Sequence, residues 1–256
     1  MEPPALYIGG THTQVEYPVV MTCKKFFSCF FLGVAMKHIA VVSASPRLGK
    51  TTIARAIACQ LASQGQIIKI ADLDHRQEEL MRQASAVSWS CCRLREKHLP
   101  PVRVEGFADT HQALKQCMAD SSLDVLVTDG IASDDDLIII MEYAELVVIV
   151  TNDRAKDIKE SIALANELAG SDPQSKQRIV FALCRTGKDK QALSKTLTQL
   201  KDSGYRIADG QLPDLTDYHD SMQQGLAVTE SQQPKAKEQA VEVIDWLITK
   251  AMAAAG

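Results

Sequence analysis

Residues 43–52, Ser-Ala-Ser-Pro-Arg-Leu-Gly-Lys-Thr-Thr, end with the residue types of a phosphate-binding loop and begin without them. Such a loop, G-x-x-x-x-G-K-[ST], works because its glycines let backbone N–H groups curl around phosphate oxygens while the lysine reaches the β and γ phosphates. Gly49, Lys50 and Thr51 are in place; the first glycine is Ala44, and Pro46 and Arg47 stand where flexible backbone is usual. Two apolar runs add carboxylates at their ends. VLVTD closes on Asp129, and IIKIADLD carries Asp72 and Asp74. A carboxylate at a strand end beside a phosphate loop can hold magnesium through water. One such aspartate alone also serves as a helix cap or a turn residue; three features at successive strand ends reinforce one another.

These residues need elements to hold them. HIAVVSA at 38–44 is a short β-branched run of the kind buried on both faces, and it leads straight into the loop. After the loop, Ile53, Ala56, Ile57 and Leu61 form one helical stripe that stops at Gly65. IIKIADLD predicts a second strand. A polar helix follows near 77–86, then a segment with Pro100 and Pro101, a strand VRVEG and a helix at 109–119. LDVLVTDG and AELVVIVT predict strands, DIKESIALANELAG a helix, RIVFALC a strand, QALSKTLTQLKDSG a helix, and KEQAVEVIDWLITKAMAAA a long closing helix with Trp246 and Leu247 inward. Strands alternating with helices predict an α/β fold with a mostly parallel twisted sheet flanked by helices. Ligands bind such sheets beyond the carboxyl ends of the strands, where Lys50, Asp74 and Asp129 all fall.

With 256 residues, 46% of them hydrophobic and 23% charged, the chain can bury a full core. A net charge of -4 provides no general attraction to nucleic acid or anionic membrane, so binding to either needs a local patch. Seven cysteines without a C-x-x-C suit a reducing cytosol, hence a cytoplasmic protein, better than a disulfide framework or a zinc site. Cys91 and Cys92 read as a vicinal redox pair or as two ordinary thiols. Residues 1–35 stand apart as a poorly defined extension, with the working domain spanning 36–256. In the extension Lys24 and Lys25 precede an apolar run of about ten residues, short for a membrane span. A secretory signal core, an added strand or helix, a disordered tail and a true start at Met36 are its readings.

The order of motifs resembles one family, the ParA/MinD superfamily of deviant Walker A ATPases. SPRLGKTT (45–52) is similar to its K-G-G-x-G-K-T-T, DLDHRQ (72–77) to its D-x-D-P-Q, and VLVTDG (125–130) to its apolar strand ending in aspartate. The segment LPDLTDYHDSMQQGLAVTE (212–230) resembles the stretch before the last helix of short ParA proteins. The resemblance implies a three-layer P-loop NTPase fold over about residues 37–253, with ATP and Mg2+ as cofactors. It implies that Lys50 grips the β and γ phosphates and that Thr51 ligates magnesium. Thr52, with the backbone of Arg47, Leu48, Gly49, Lys50 and Thr51, would hold the remaining phosphates. Asp74 would orient the attacking water and Asp129 would stand behind the metal. Leu183, Cys184 and Arg185 end a strand near the adenine, where the family often has Asn-Arg or Asn-Lys. The signature lysine of the family falls on Ser45, and proline at 46 removes an N–H. Arg47 either restores the lost charge across a dimer or points to solvent and leaves a weakly binding, slow enzyme.

The family's use of ATP is to close a dimer that binds nonspecific DNA, a membrane or a partner, and hydrolysis releases it. The resemblance therefore implies an ATP-dependent homodimer with a small centromere-binding partner, acting in partition or positioning of a plasmid or mobile element. Lys176, Arg178, Arg185, Lys188, Lys190, Lys195, Lys201 and Arg206, set against Asp189 and Asp202, form a candidate DNA-backbone patch or, residue by residue, solvated helix faces. The single lysine in DWLITKAMAAAG argues against a membrane-targeting tail. Two other classes remain: a nucleotide-binding adaptor with weak or no hydrolysis that docks a DNA-binding or conjugative partner, and a metabolic P-loop enzyme of the dethiobiotin synthetase type.

Overall fold

The central strands are runs that are apolar on both faces. β1 (Lys37–Val42), β4 (Val125–Asp129) and β5 (Leu146–Thr151) are buried along nearly their whole length, which a sheet permits only when helices cover both sides. The computed structural model describes residues 36–73, 89–96, 98–130, 134–251 and 253. Residues 1–35, Asp74 and the polar helix expected at 77–86 lie outside the described residues. The other strands are β2 (Ile68–Asp72), β3 (Arg103–Gly106), β6 (Ile179–Thr186) and the short β7 (Arg206–Ile207) and β8 (Leu212–Pro213).

The sheet runs β3-β2-β4-β1-β5-β6-β7, with β8 beside β6, and every registered pair is parallel. Strand order therefore reverses at β1. The chain leaves β1 toward β2 on one side and returns through β4 to β5 on the other, which opens a crevice beyond the carboxyl end of β1.

One face is covered by α1 (Lys50–Ser63) and by α8 (Pro234–Asp245), whose Val243 and Ile244 pack with Ile53, Ile57, Val41 and Val127. The opposite face carries α2 (Thr110–Met118), α3 (Asp134–Tyr143), α4 (Ala155–Ala169) and α6 (Lys190–Asp202). The result is the three-layer α/β/α arrangement expected from the alternation. Two short helices, α5 (Pro173–Arg178) and α7 (Thr216–Gln223), a helical stretch at 89–95 and a single turn of 3-10 helix, Val228–Glu230, also lie among the described residues. The long closing helix is present with a change of pitch: the α-helical part, α8, ends at Asp245 and the chain continues without a break as a π-helix, Trp246–Ala251. Leu247 is fully buried there, and Trp246 is half-buried under the Arg206 guanidinium, 5.6 Å from its ring.

Candidate phosphate-binding site

The loop between β1 and α1 is shaped by residues with unusual backbone. Gly49 immediately precedes α1 at φ 102°, ψ 21°. A Cβ added there would run into the Cys184 Sγ at the end of β6. The position thus demands glycine twice, for its left-handed φ and for the close approach of β6. Arg47 also adopts a left-handed φ of 63°, uncommon for a side chain of its kind. Its carbonyl accepts a hydrogen bond from Arg185 Nη1 at 2.9 Å, which holds the strained peptide in place. Arg185 is itself left-handed at φ 56°.

The start of the loop is tied inward. Ser43 Oγ donates to the Ser45 carbonyl at 2.6 Å, and Ser45 Oγ donates to Glu160 Oε2 of α4 at 2.6 Å. Ser45, which takes the place of the family's signature lysine, is thus engaged within its own chain. Pro46 and Arg47 are exposed, Leu48 is buried, and Thr52 is half-buried.

Lys50, Thr51 and Asp129 come together at the carboxyl ends of β1 and β4. Lys50 is buried at 6% exposure and Asp129 at 4%. The Thr51 side chain lies close enough to the Asp129 carboxylate to favour its charged form. Burial pushes the Asp129 carboxyl up to about 6; the Thr51 hydroxyl and the charges of Lys50 and Arg55 pull it down, while Asp72 pushes it up. Asp72 belongs beside it: β2 and β4 register Asp72 opposite Asp129. Side chains alternate along a strand, so Asp129 shares the face of Val125 and Val127, and Asp72 that of Ile68 and Ile70. That face is the one α1 covers.

A hard cation fits this donor set. Asp129 Oδ1 is buried and makes no hydrogen bond, and an oxygen ligand from Thr51 lies next to it. Among the described residues no group of three or more His, Cys, Asp or Glu side chains could hold a metal alone. Magnesium commonly takes one or two protein oxygens and fills its octahedron with water and substrate phosphate. The site has the protein half of such a set.

Beside the loop, a cavity of about 330 Å³ is lined by residues that include Arg47, Leu48, Asn152, Arg154, Arg185 and Asp214. Asn152 Oδ1 caps the backbone N–H of Arg154 at 2.8 Å. Of the three β6 residues expected near a base, Leu183, Cys184 and Arg185, Arg185 lines this cavity. Cys184 stands instead behind Gly49, and burial pushes its thiol up to about 12. Asp74 lies outside the described residues. Sequence reasoning passed over Arg55, Asn152, Asp214 and the Ser45–Glu160 bond. Only Arg55 left a signal, as an arginine inside an apolar helical stripe.

The basic residues at 176–206 divide into two sets. Arg178 donates to the carbonyls of Met141 and Ala144. Lys176 bonds the Ser203 carbonyl, Arg185 the loop and Arg206 the Gln177 carbonyl. Lys188, Lys190, Lys195 and Lys201 are exposed on or just before α6.

A glycine-ended loop feeding a helix from the central strand of a parallel sheet, with an aspartate at the neighbouring strand end, defines a P-loop nucleotide-binding fold. Solved structures share this fold. The MinD cell division protein of Aquifex aeolicus matches with a TM-score of 0.61 at 16% identity, over 83% of this chain and 97% of that one. A ParA family ATPase from Chlorobium tepidum TLS matches at 0.59 and 18%, over 85% and 100%. A plasmid partition protein from Borrelia burgdorferi B31, bound to AMPPNP, matches at 0.60 and 16%, over 84% and 99%. No family model matches the chain, and no curated protein matches it in sequence. What the chain shares with the MinD and ParA structures is their fold.

Proposed function

We propose that this chain is a ParA-like ATPase, an ATP-dependent dimerisation switch for partition or positioning of DNA. The observation that carries the reading is the meeting of Lys50, Thr51 and Asp129 at the strand ends, with one Asp129 oxygen buried and unbonded. Lys50 and the backbone from Arg47 to Thr51 bind and orient the phosphates of ATP, helped by the N-terminus of α1. Thr51 and, through water, Asp129 would hold magnesium, which when bound offsets charge on the phosphates. Asp74 is the residue assigned to orient the attacking water. Arg185 and the cavity beside it receive the base, with Cys184 supporting the loop from behind. The protein works in the cytoplasm with a small centromere-binding partner. Nonspecific DNA contact, where it occurs, falls to Lys188, Lys190, Lys195 and Lys201. No helix among the described residues is long and apolar enough to cross a membrane.

One observation favours a second reading, a nucleotide-binding adaptor with weak or no hydrolysis. Ser45 stands at the signature lysine position and is bonded to Glu160, so charge across a dimer would have to come from exposed Arg47. A single experiment separates the two. Mg-ATP is titrated by calorimetry into the wild type and Lys50→Ala, and turnover is followed with and without duplex DNA. Tight binding, weakened at least about a hundredfold in the variant, with turnover that rises on DNA, is the ATPase switch. Binding without turnover is the adaptor. No binding by the wild type sinks both.

A further inference from the structure

β6 is eight residues long, yet its outer neighbour comes in two pieces. β7 pairs with Val180 and Phe181, and β8 with Cys184 and Thr186. Between them the chain leaves the line of the strand. Ala208 N–H still donates to the Phe181 carbonyl at 2.8 Å. Gly210 then turns at a left-handed φ of 85°, so near α8 that a Cβ would lie 2.9 Å from Val243 Cγ2. Gln239 Nε2 of α8 holds the returning chain by the Gln211 carbonyl at 2.9 Å.

Beside this detour lies a cavity of about 610 Å³, within the range that takes a ligand. Leu183, Ile207, Leu193 and Leu197 line it and pack with the core beneath α6. Val243 and Trp246 line it as well, and they pack with the core on the opposite face. The cavity thus reaches both hydrophobic layers around the edge of the sheet. That edge is β7, and among the described residues no strand lies beyond it. Successive residues of a parallel strand turn their bonding groups to opposite sides. Ala208 faces β6, so the N–H and C=O of Ile207 face outward, as an edge strand presents them.

An occupant that meets apolar side chains on both faces and backbone groups between them is an extended chain, because its own side chains alternate between the faces. A second copy of this protein is the poorer fit, since its β7 lies between the same two helices. The rim has a charge preference too: exposed Asp209 and Glu242 stand against exposed Lys201.

We propose that this cavity receives an extended segment of a partner protein, which adds as a strand to β7. The segment carries a short unbroken aliphatic run, since both faces it meets are apolar, with a basic residue beside it for Asp209 and Glu242. The proposal is independent of the nucleotide reading.

The test pans random heptapeptides displayed on phage against the immobilised full chain without nucleotide. Selected sequences are made as labelled peptides and titrated by fluorescence anisotropy. The expected selection is an aliphatic run next to Lys or Arg. Binding should weaken about tenfold in Ile207→Pro, which removes the outward N–H and leaves the inward bonds, and again in Leu197→Gln. Methylating the peptide nitrogens one at a time, against the wild type, should weaken binding at alternate positions only; this arm needs no variant and stands if Ile207→Pro does not fold. Failure to enrich any such sequence overturns the proposal, and so does unchanged affinity for a folded Ile207→Pro. Tolerance of every methyl group would make the cavity a pocket for an apolar side chain without strand addition, which also overturns it. Sedimentation equilibrium without nucleotide covers the remaining occupant: a dimer of the wild type that is lost in Leu197→Gln would put a second copy there and overturn the proposal.

Discussion

Gly49 is the position where sequence, backbone and site chemistry meet most tightly. Its φ of 102° is closed to ordinary side chains, and a Cβ would collide with Cys184 Sγ. Gly49→Ala combines left-handed strain with a steric clash, so we expect a loss of about 2 kcal/mol in urea unfolding, together with loss of Mg-ATP binding. Adding Cys184→Ala relieves the clash and leaves the strain, so the double variant should recover part of the stability. A double variant no better than Gly49→Ala would mean that the thiol has room to move. Lys50, Thr51 and Asp129 were legible because a phosphate loop advertises itself by types at fixed spacing. Asp72 was visible as a strand-end acid, yet its pairing with Asp129 was not, because register between strands is absent from a one-dimensional pattern. The Ser45–Glu160 bond joins residues 115 apart in the chain and left no local trace at all.

Among the elements, the helical stretch at 89–95 is tied by an ion pair to the turn before α8. Arg93 is 1% exposed and meets Glu230 through two bonds, Nη1 to Oε2 at 2.7 Å and Nη2 to Oε1 at 3.0 Å. Glu230 Oε2 also accepts from the Ala227 N–H at 2.9 Å, closing the turn Val228–Glu230. Gly225 lies so near the Arg93 backbone that a Cβ there would overlap it. Glu230→Gln leaves a buried guanidinium half-partnered. We expect a cost of about 3 kcal/mol, at the low end for a broken buried pair because Glu230 keeps 17% exposure. The urea midpoint should fall with an unchanged slope; an unchanged midpoint would show that the pair contributes nothing. Elements were legible in proportion to their length and cover. β1, β4, β5 and β6 stood out as short runs apolar on both faces. α3 escaped because Leu137, Ile138, Ile139, Ile140 and Met141 form a continuous apolar run with no helical period. β7 and β8, two residues each, are too short for any periodicity.

At the scale of the molecule, the buried centre of the sheet carries a titratable group. His38 in β1 is 1% exposed; its Nε2 pairs with Thr128 Oγ1 at 3.0 Å and its Nδ1 has no partner. Burial lowers its pKa from 6.5 to about 4. The unfolded chain therefore takes up a proton near pH 6.5 that the folded chain refuses until about pH 4, and stability falls as pH drops through that window. The loss amounts to about 3 kcal/mol. His38→Gln should flatten this part of the stability profile relative to wild type, measured by urea unfolding from pH 7 to 4; parallel profiles would place the neutral imidazole elsewhere. The strand order also bears on how the chain assembles during synthesis. β1 and β2 are never bonded to each other; β4 lies between them. β1's neighbours are β4 and β5 alone, drawn from residues 125–129 and 146–151. A nascent chain that has made β1, the loop and β2 thus holds two apolar strands, neither of which yet has a partner strand. The loop takes its shape only after synthesis reaches β6, because Cys184 and Arg185 brace it from there. The braced form of the loop is on this account a late event of translation, and a ribosome stalled before residue 185 would carry a chain with the motif and without its brace.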